Sequence, residues 1–198
     1  DVKVACIGEA GENLVGFACI RHQLKRSAGR TGQGALMGSK NLKAVAIRGS
    51  QSLLVKHPEK LLEITKKQYE YTRRTKIFEI TKRWSNLFAW VVNNEREGIV
   101  VRNHRGNFYP EGYGNLDVDI FLEKYSDKML ACQQCAMHCE HRFSIKEGPY
   151  KGLSGEGPEW IAPLLFGAFV GNIRWDVILA SFEKTNRYGI DASTFGLY

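Results

Sequence analysis

Three of the chain's five cysteines fall within eight residues, Cys132-Gln133-Gln134-Cys135-Ala136-Met137-His138-Cys139. C-x2-C-x3-C spacing lets three thiolates converge on one soft metal centre with no long loop to close. That restricts the candidates to zinc, copper or an iron–sulfur cluster. A [4Fe–4S] cube takes four thiolates, and irregular backbone between the cysteines can place three of them on three corners. The fourth then comes from elsewhere. A structural zinc site completed by His138 or His141 satisfies the same spacing, and so does a metal-free turn. On the residues alone, all three readings stay open.

The chain has 198 residues, 43% of them apolar and 25% charged, the composition of an ordinary folded protein of one large or two small domains. Few, clustered cysteines suit a reducing compartment and a metal site better than a disulfide framework. No apolar run reaches the roughly 18–20 residues of a membrane span, and no secretory signal opens the chain. A cytoplasmic protein is expected. The first residues read as a strand already under way and the last stop just after a helix end, so the chain reads as a piece of something larger. Residues 1–100 carry 18 Lys/Arg against 9 Asp/Glu, whereas residues 101–198 carry 10 against 12. A basic half suits nucleic acid, a membrane surface or an anionic cofactor, and a solvated face has the same composition. No helix-turn-helix, zinc-finger or RNA-recognition signature accompanies the charge, so no nucleic-acid partner is expected.

Val2 to Ile7 alternates and ends at Gly8, the pattern of a short strand. Glu9 to Asn13 reads as a turn and Leu14 to Ile20 as a second strand. Cys6 and Cys19 lie in these runs and read as small buried hydrophobes. From Lys25 to Lys43, four glycines fall within ten residues, flanked by Lys25, Arg26, Arg30, Lys40 and Lys43. Glycine lets backbone amides approach a ligand closely, and arginine offers forked donors to phosphate oxygens. The stretch reads as a loop around a phosphate-bearing molecule, or as a flexible basic loop. It carries neither a P-loop nor a complete dinucleotide fingerprint. Ala44 to Ile47 reads as a strand. A domain boundary is placed near residue 52, with 1–52 strand-rich and 53–198 mainly helical, an α+β chain. His57-Pro58 opens a helix with a partial apolar face at Leu61, Leu62, Ile64 and Tyr69. Trp84 to Val92 reads as a buried helix and residues 98–115 as a long ordered loop. Val118, Phe121, Leu122 and Tyr125, and later Trp175, Ile178, Leu179 and Phe182, follow helical spacing. The second of these helices ends at Tyr188-Gly189. Asn186 and Asp191 bracket that end, where a capping role would account for both.

Several of these stretches, in this order, resemble the tungsten-containing aldehyde:ferredoxin oxidoreductase family. They are Ile7 through Asn13, the loop from Arg26 through Ala44, the three cysteines, Gly157-Pro158-Glu159-Trp160, and Asn186-x2-Gly189-Ile190-Asp191. The resemblance covers nearly the whole chain and rests on the glycine-loop and cysteine motifs in combination.

The resemblance implies tungsten held between two pyranopterins, a neighbouring [4Fe–4S] cluster, and electrons passed to ferredoxin or an iron–sulfur partner subunit. The chain would be the end of a β-rich pterin-binding domain followed by much of a helical second domain carrying the iron–sulfur motif. The fourth cluster cysteine would lie beyond Tyr198. Cys132, Cys135 and Cys139 resemble the cluster ligands. Arg26, Ser27, Gly29 and Arg30 match positions contacting the pterin and its phosphate or bridging Mg2+. Asn186 and Asp191 fall on a D-x-x-G-L-D pattern that hydrogen-bonds pterin; Asn at the first position keeps an acceptor and loses a charge. The ligand set does not separate tungsten from molybdenum, and the oligomeric state is left open. The implied reaction is oxidation of an aldehyde to a carboxylic acid. Two departures bear on it. The family's usual Pro-Glu-Tyr-Glu becomes Pro158-Glu159-Trp160-Ile161, and an isoleucine cannot take a proton. An E-x-x-H pair that binds a bridging iron in some members falls at Ala180 and Glu183, so no iron is expected there. No catalytic residue is assigned. The alternatives are a tungsten subunit of the benzoyl-coenzyme A reductase kind, acting on an aromatic substrate, or of another non-aldehyde redox enzyme, and a non-catalytic relative.

Overall fold

The computed structural model describes residues 2–23 and 26–197. Its first part is built on four antiparallel strands, β1 (Lys3–Ile7), β2 (Ile20–His22), β3 (Arg26–Ala28) and β4 (Ala44–Ile47), in the order β3-β2-β1-β4. Two short helices, α1 (Glu9–Glu12) and α2 (Gln33–Ser39), connect them. The register sets Ala44, Cys6, Arg21 and Ser27 in one row across the sheet, and Val45, Ala5, His22 and Arg26 in the next. Successive side chains on a strand leave by opposite faces, so Arg26 and Ser27 serve different sides of the sheet. α1 and α2 meet at backbone distance: a Cβ on Gly38 would lie 1.9 Å from the Gly11 carbonyl oxygen.

Three expectations are corrected here. Glu9 to Glu12 is a helical turn rather than an open one, with Glu9 at its N-terminal end. The run from Leu14 to Ile20 is strand only from Ile20, because Leu14 takes a left-handed φ of 56° that breaks extended backbone. The glycine-rich basic stretch is a loop only in part: apart from Lys25, which lies outside the described residues, Arg26–Ala28 is β3 and Gln33–Ser39 is α2, with residues 29–32 and 40–43 irregular. Gly32 supplies the left-handed turn between them at φ 70°.

After Ile47 no regular element occurs until α3 (Pro58–Arg73), which is followed by α4 (Lys76–Trp84) and α5 (Phe88–Glu95). The helix expected over Trp84 to Val92 is split by a 3-10 turn at Ser85–Leu87, where Ser85 takes φ 53°. The expected 98–115 loop closes with α6 (Pro110–Asn115). α7 (Val118–Lys124) leads into a three-stranded antiparallel sheet, β5 (Ser126–Leu130), β6 (Glu140–Ser144) and β7 (Ser154–Glu156). Sequence reasoning placed only helices and loops there. α8 (Ile161–Leu165), α9 (Trp175–Tyr188) and α10 (Ala192–Phe195) complete the chain.

The core lies between α5, α7, β6, α8 and α9, where Leu87, Trp90, Tyr109, Phe121, Phe143 and Leu179 are buried. The two periodic helices seat their apolar faces there, Val118 and Phe121 from α7 and Ile178, Leu179 and Phe182 from α9. The apolar face of α3 is not buried: Leu61, Leu62 and Ile64 are exposed. Among the described residues no single helix is long and apolar enough to cross a membrane.

Leu179 is fully buried, so Leu179→Ala should cost about 2–5 kcal/mol, as deletion of a buried leucine does. Urea unfolding measures it. A loss under ~1 kcal/mol would place Leu179 outside the core.

Candidate functional site

The C-terminal end of α9 is brought against the first sheet. Gly189 takes the left-handed cap at φ 70°, and its carbonyl accepts a 2.7 Å bond from Cys19 N–H. Asp191 N–H in turn donates to the Phe17 carbonyl at 3.1 Å. This seam places Asn186 and Asp191 beside β3. A concavity of about 110 Å³ opens there, with Arg21, Ser27, Glu159, Ile161, Asn186 and Asp191 among its walls. Gly29 faces the same place, since a Cβ on it would sit 3.0 Å from Asp191 Oδ1. Arg30 lines a larger apolar trough of about 450 Å³ with Ile161, Leu164 and Leu165. Ile161 is thus common to both.

Asp191 Oδ2 caps α10, accepting from Thr194 N–H at 2.8 Å and from the Thr194 hydroxyl at 2.6 Å. The capping reading of Asp191 therefore holds and coexists with its place on the concavity. Asn186 is buried, and its Nδ2 has no hydrogen-bond partner. An unsatisfied buried amide costs about 1–3 kcal/mol, so the position favours a ligand that accepts a hydrogen bond. Burial pulls the Arg21 guanidinium below its ordinary range, opposed by Cys19 and Glu183. Burial pushes the Cys19 thiol up, and the Asp191 carboxylate adds to the rise. Cys19 is fully buried, as expected, while Cys6 is half-buried.

The three clustered cysteines occupy the connection between β5 and β6. Gln134 and His138 take left-handed φ values of 60° and 48°, which fold that connection tightly. It is tied down at three points. Arg26 Nη2 donates to Cys132 Sγ at 2.9 Å, Asn86 N–H donates to the Cys139 carbonyl at 3.2 Å, and the Tyr69 hydroxyl donates to the Gln134 carbonyl. Asn86 also accepts from Trp160 N–H at 3.2 Å, which ties the cysteine segment to the Gly157–Trp160 segment. Among the described residues no three His, Cys, Asp or Glu side chains converge on a common metal position. His141, one candidate for a zinc ligand, is buried, shares a 2.8 Å hydrogen bond with Ser126 and stands edge-on to Phe121. Ala180 and Glu183 are buried on α9, and Glu183 pairs with Arg187 at 2.9 Å.

Two features separate this arrangement from the sequence-based one. Arg26 does not line the concavity; its fork engages Cys132 and Glu140 instead. Arg21 and Glu140 were not singled out, and Glu159 was named only as part of the Gly157–Trp160 and Pro158–Ile161 stretches. A cross-strand row containing Arg21 and Ser27 would have pointed to Arg21 had the register been known.

Fold and site together describe a sheet whose edge carries a polar cavity on one face and a cysteine loop on the other. The family model of the aldehyde ferredoxin oxidoreductase N-terminal domain matches residues 1–49, and that of aldehyde ferredoxin oxidoreductase domains 2 & 3 matches residues 63–198. The chain belongs to the aldehyde ferredoxin oxidoreductase family. It is 30% identical over 197 residues to the tungsten-containing aldehyde ferredoxin oxidoreductase of Pyrococcus furiosus, covering 98% of this chain and 32% of that protein. It is 26% identical to the aliphatic sulfonate oxidoreductase, WOR-like subunit, of the same organism, over 96% of this chain and 30% of that one. The chain therefore spans about a third of the length of the curated relatives it matches. The active site complex BamBC of benzoyl coenzyme A reductase, solved with 1,5 dienoyl-CoA, shares the fold with a TM-score of 0.72 at 24% identity, over 96% of this chain and 30% of that one.

The residues present fit the edge of a pterin ring. Asn186 offers an unused donor, Asp191 and Glu159 are acceptors, and Ser27 is both. The donor chemistry of three thiols on one loop fits three corners of a cluster.

A raised Cys19 pKa means less thiolate at any given pH, and burial blocks access as well. Iodoacetamide at pH 8 should label exposed Cys132 in the folded, iron-free protein and leave Cys19 unmodified until denaturant is added. Labelling of both at equal rates would contradict the placement of Cys19.

Proposed function

We propose that the whole protein is a tungsten-dependent oxidoreductase that converts an aldehyde to a carboxylic acid. Electrons would pass through a [4Fe–4S] cluster at Cys132, Cys135 and Cys139 to ferredoxin or an iron–sulfur partner subunit. The observation that carries this reading is the shared wall. Ser27, Asn186 and Asp191 line one concavity, and the adjacent residue of β3, Arg26, reaches the first cysteine of the cluster motif. The relative from Pyrococcus furiosus, a tungsten-containing aldehyde ferredoxin oxidoreductase, supports the substrate class and the acceptor. The division of the chain near residue 52 into the end of a pterin-binding domain and a second domain accords with the two family matches.

The net reaction consumes an aldehyde and a water and yields a carboxylic acid, two protons and two electrons. When bound, the tungstopterin supplies a two-electron centre and the cluster a one-electron exit. Asn186, Asp191 and Ser27 would hold and orient the ring edge through directional hydrogen bonds. Arg30, with Gly29 beside it, would meet the phosphate and its Mg2+, where an arginine fork is suited to phosphate oxygens. Ile161 forms an apolar wall between the concavity and the trough. It takes no part in proton transfer.

That apolar wall favours a second reading. Reaction at a centre without the family's acidic group, on an aromatic or thioester substrate, agrees with the fold shared with the benzoyl coenzyme A reductase complex.

Elemental analysis of the protein purified without oxygen should give one tungsten with about four irons per chain, the content of one such site. Aldehyde-dependent viologen reduction supports the first reading, and activity only with an aromatic thioester supports the second. Zinc alone would end both.

A further inference from the structure

Arg26 stands where the two candidate sites meet. β3 is an edge strand, and its alternation sends Ser27 to the concavity and Arg26 to the cysteine loop. The guanidinium is used as a fork: Nη2 lies 2.9 Å from Cys132 Sγ, and Nη1 lies 2.7 Å from Glu140 Oε1. Glu140 opens β6, directly after Cys139, and its side chain is only 5% exposed against 36% for Arg26. A single side chain from the first sheet therefore grips both ends of the eight-residue cysteine segment. Its charge is secure. A guanidinium stays protonated in proteins.

We infer that Arg26 is a positioning residue for the iron–sulfur site, fixing Cys132 and setting the reduction potential of the cluster against the opposing charge of Glu140. This rests on the cluster reading of the cysteines given above. The physical argument concerns the sign of charge. Reduction makes a cluster more negative. A guanidinium N–H bonded to a ligand sulfur stabilises that form more than the oxidised one and raises the potential. A buried carboxylate on the same guanidinium acts in the opposite sense. Lysine keeps the charge but cannot span both partners with one planar fork.

The test is an EPR-monitored redox titration of the anaerobically purified protein, with iron per chain measured in parallel. Arg26→Met should lower the cluster midpoint. The reduced-to-oxidised ratio at the wild-type midpoint should fall about tenfold, which for a one-electron couple is about 59 mV. Arg26→Lys should move it less, and Glu140→Gln should move it upward. A purely structural role would lower iron occupancy while the remaining clusters titrate at the wild-type midpoint, and that result overturns the inference. Should Arg26→Met not retain iron, Arg26→Lys and Glu140→Gln carry the test, and unmoved midpoints in both overturn it. Wild-type protein without iron would overturn the cluster reading and this inference with it. Iron with shifted midpoints but no tungsten would sustain the inference while the oxidoreductase reading fails.

Discussion

The contact on which the rest depends is the backbone seam between the first sheet and the end of α9. It is made at distances that only glycine allows. A Cβ on Gly8 would fall 2.3 Å from the Tyr188 carbonyl oxygen, and Gly189 is the left-handed residue that lets the chain turn there. Cys19 and Gly189, Phe17 and Asp191, and the bridge between Ala18 and Ile190 then close the seam through main-chain groups. Residues more than 150 positions apart in sequence are held in register by polar groups that must be paired once buried. Ser27 from β3 meets Asn186 and Asp191 only because of this join.

A second join runs along the other face of the same strand. Arg26 to Glu140 and Cys132, and Asn86 to Cys139 and Trp160, connect the cysteine segment to the sheet and to the segment that carries Glu159 and Ile161. Glu140 is a buried carboxylate, expensive to desolvate, and its pairing with the partly exposed Arg26 offsets part of that cost. Buried ion pairs of this kind contribute less to net stability than apolar replacements would. The arrangement is better explained by what it orients.

The parts legible in the sequence were those governed by local rules. The 3.6-residue spacing of Trp175, Ile178, Leu179 and Phe182 and the glycine at 189 gave α9 and its end. The alternation of Val2 to Ile7 gave β1. The β5–β6–β7 sheet was hidden because its strands do not alternate as half-buried strands usually do. β6 reads Glu-His-Arg-Phe-Ser, with Glu140 and His141 both buried, so polar residues stand where an apolar signal was sought. β5 carries Asp127 and Lys128 and a register irregularity between Ser126 and Lys128. The cysteine spacing was visible; the hairpin that presents it was not. Of the candidate site, the residue types were readable and their grouping was not. Ser27, Gly29, Asn186 and Asp191 gather at one concavity, Arg30 lines the neighbouring trough, and Arg26 turns away to the cysteines. That separation follows from a strand register fixed by pairing with β2. A one-residue slip would exchange the two roles, and no local pattern in Arg26-Ser27-Ala28 decides it.

The division of labour along β3 has a consequence for how the site tolerates change. The apolar core, with Phe121, Phe143 and Leu179 at its centre, lies among the later elements and supplies stability without touching the concavity. The polar groups that leave stability unclaimed, Asn186 with an unpaired amide and Asp191 serving both a helix cap and a cavity wall, sit on the seam. A buried donor without a partner is destabilising in the protein alone and becomes favourable only against an acceptor. Under the proposed role, a substitution at Asn186 would act with opposite sign on folding and on binding. At Leu179 it acts on folding alone. An unpaired buried donor is what the proposed pterin-holding role of Asn186 would use, and it lies where α9 meets the first sheet.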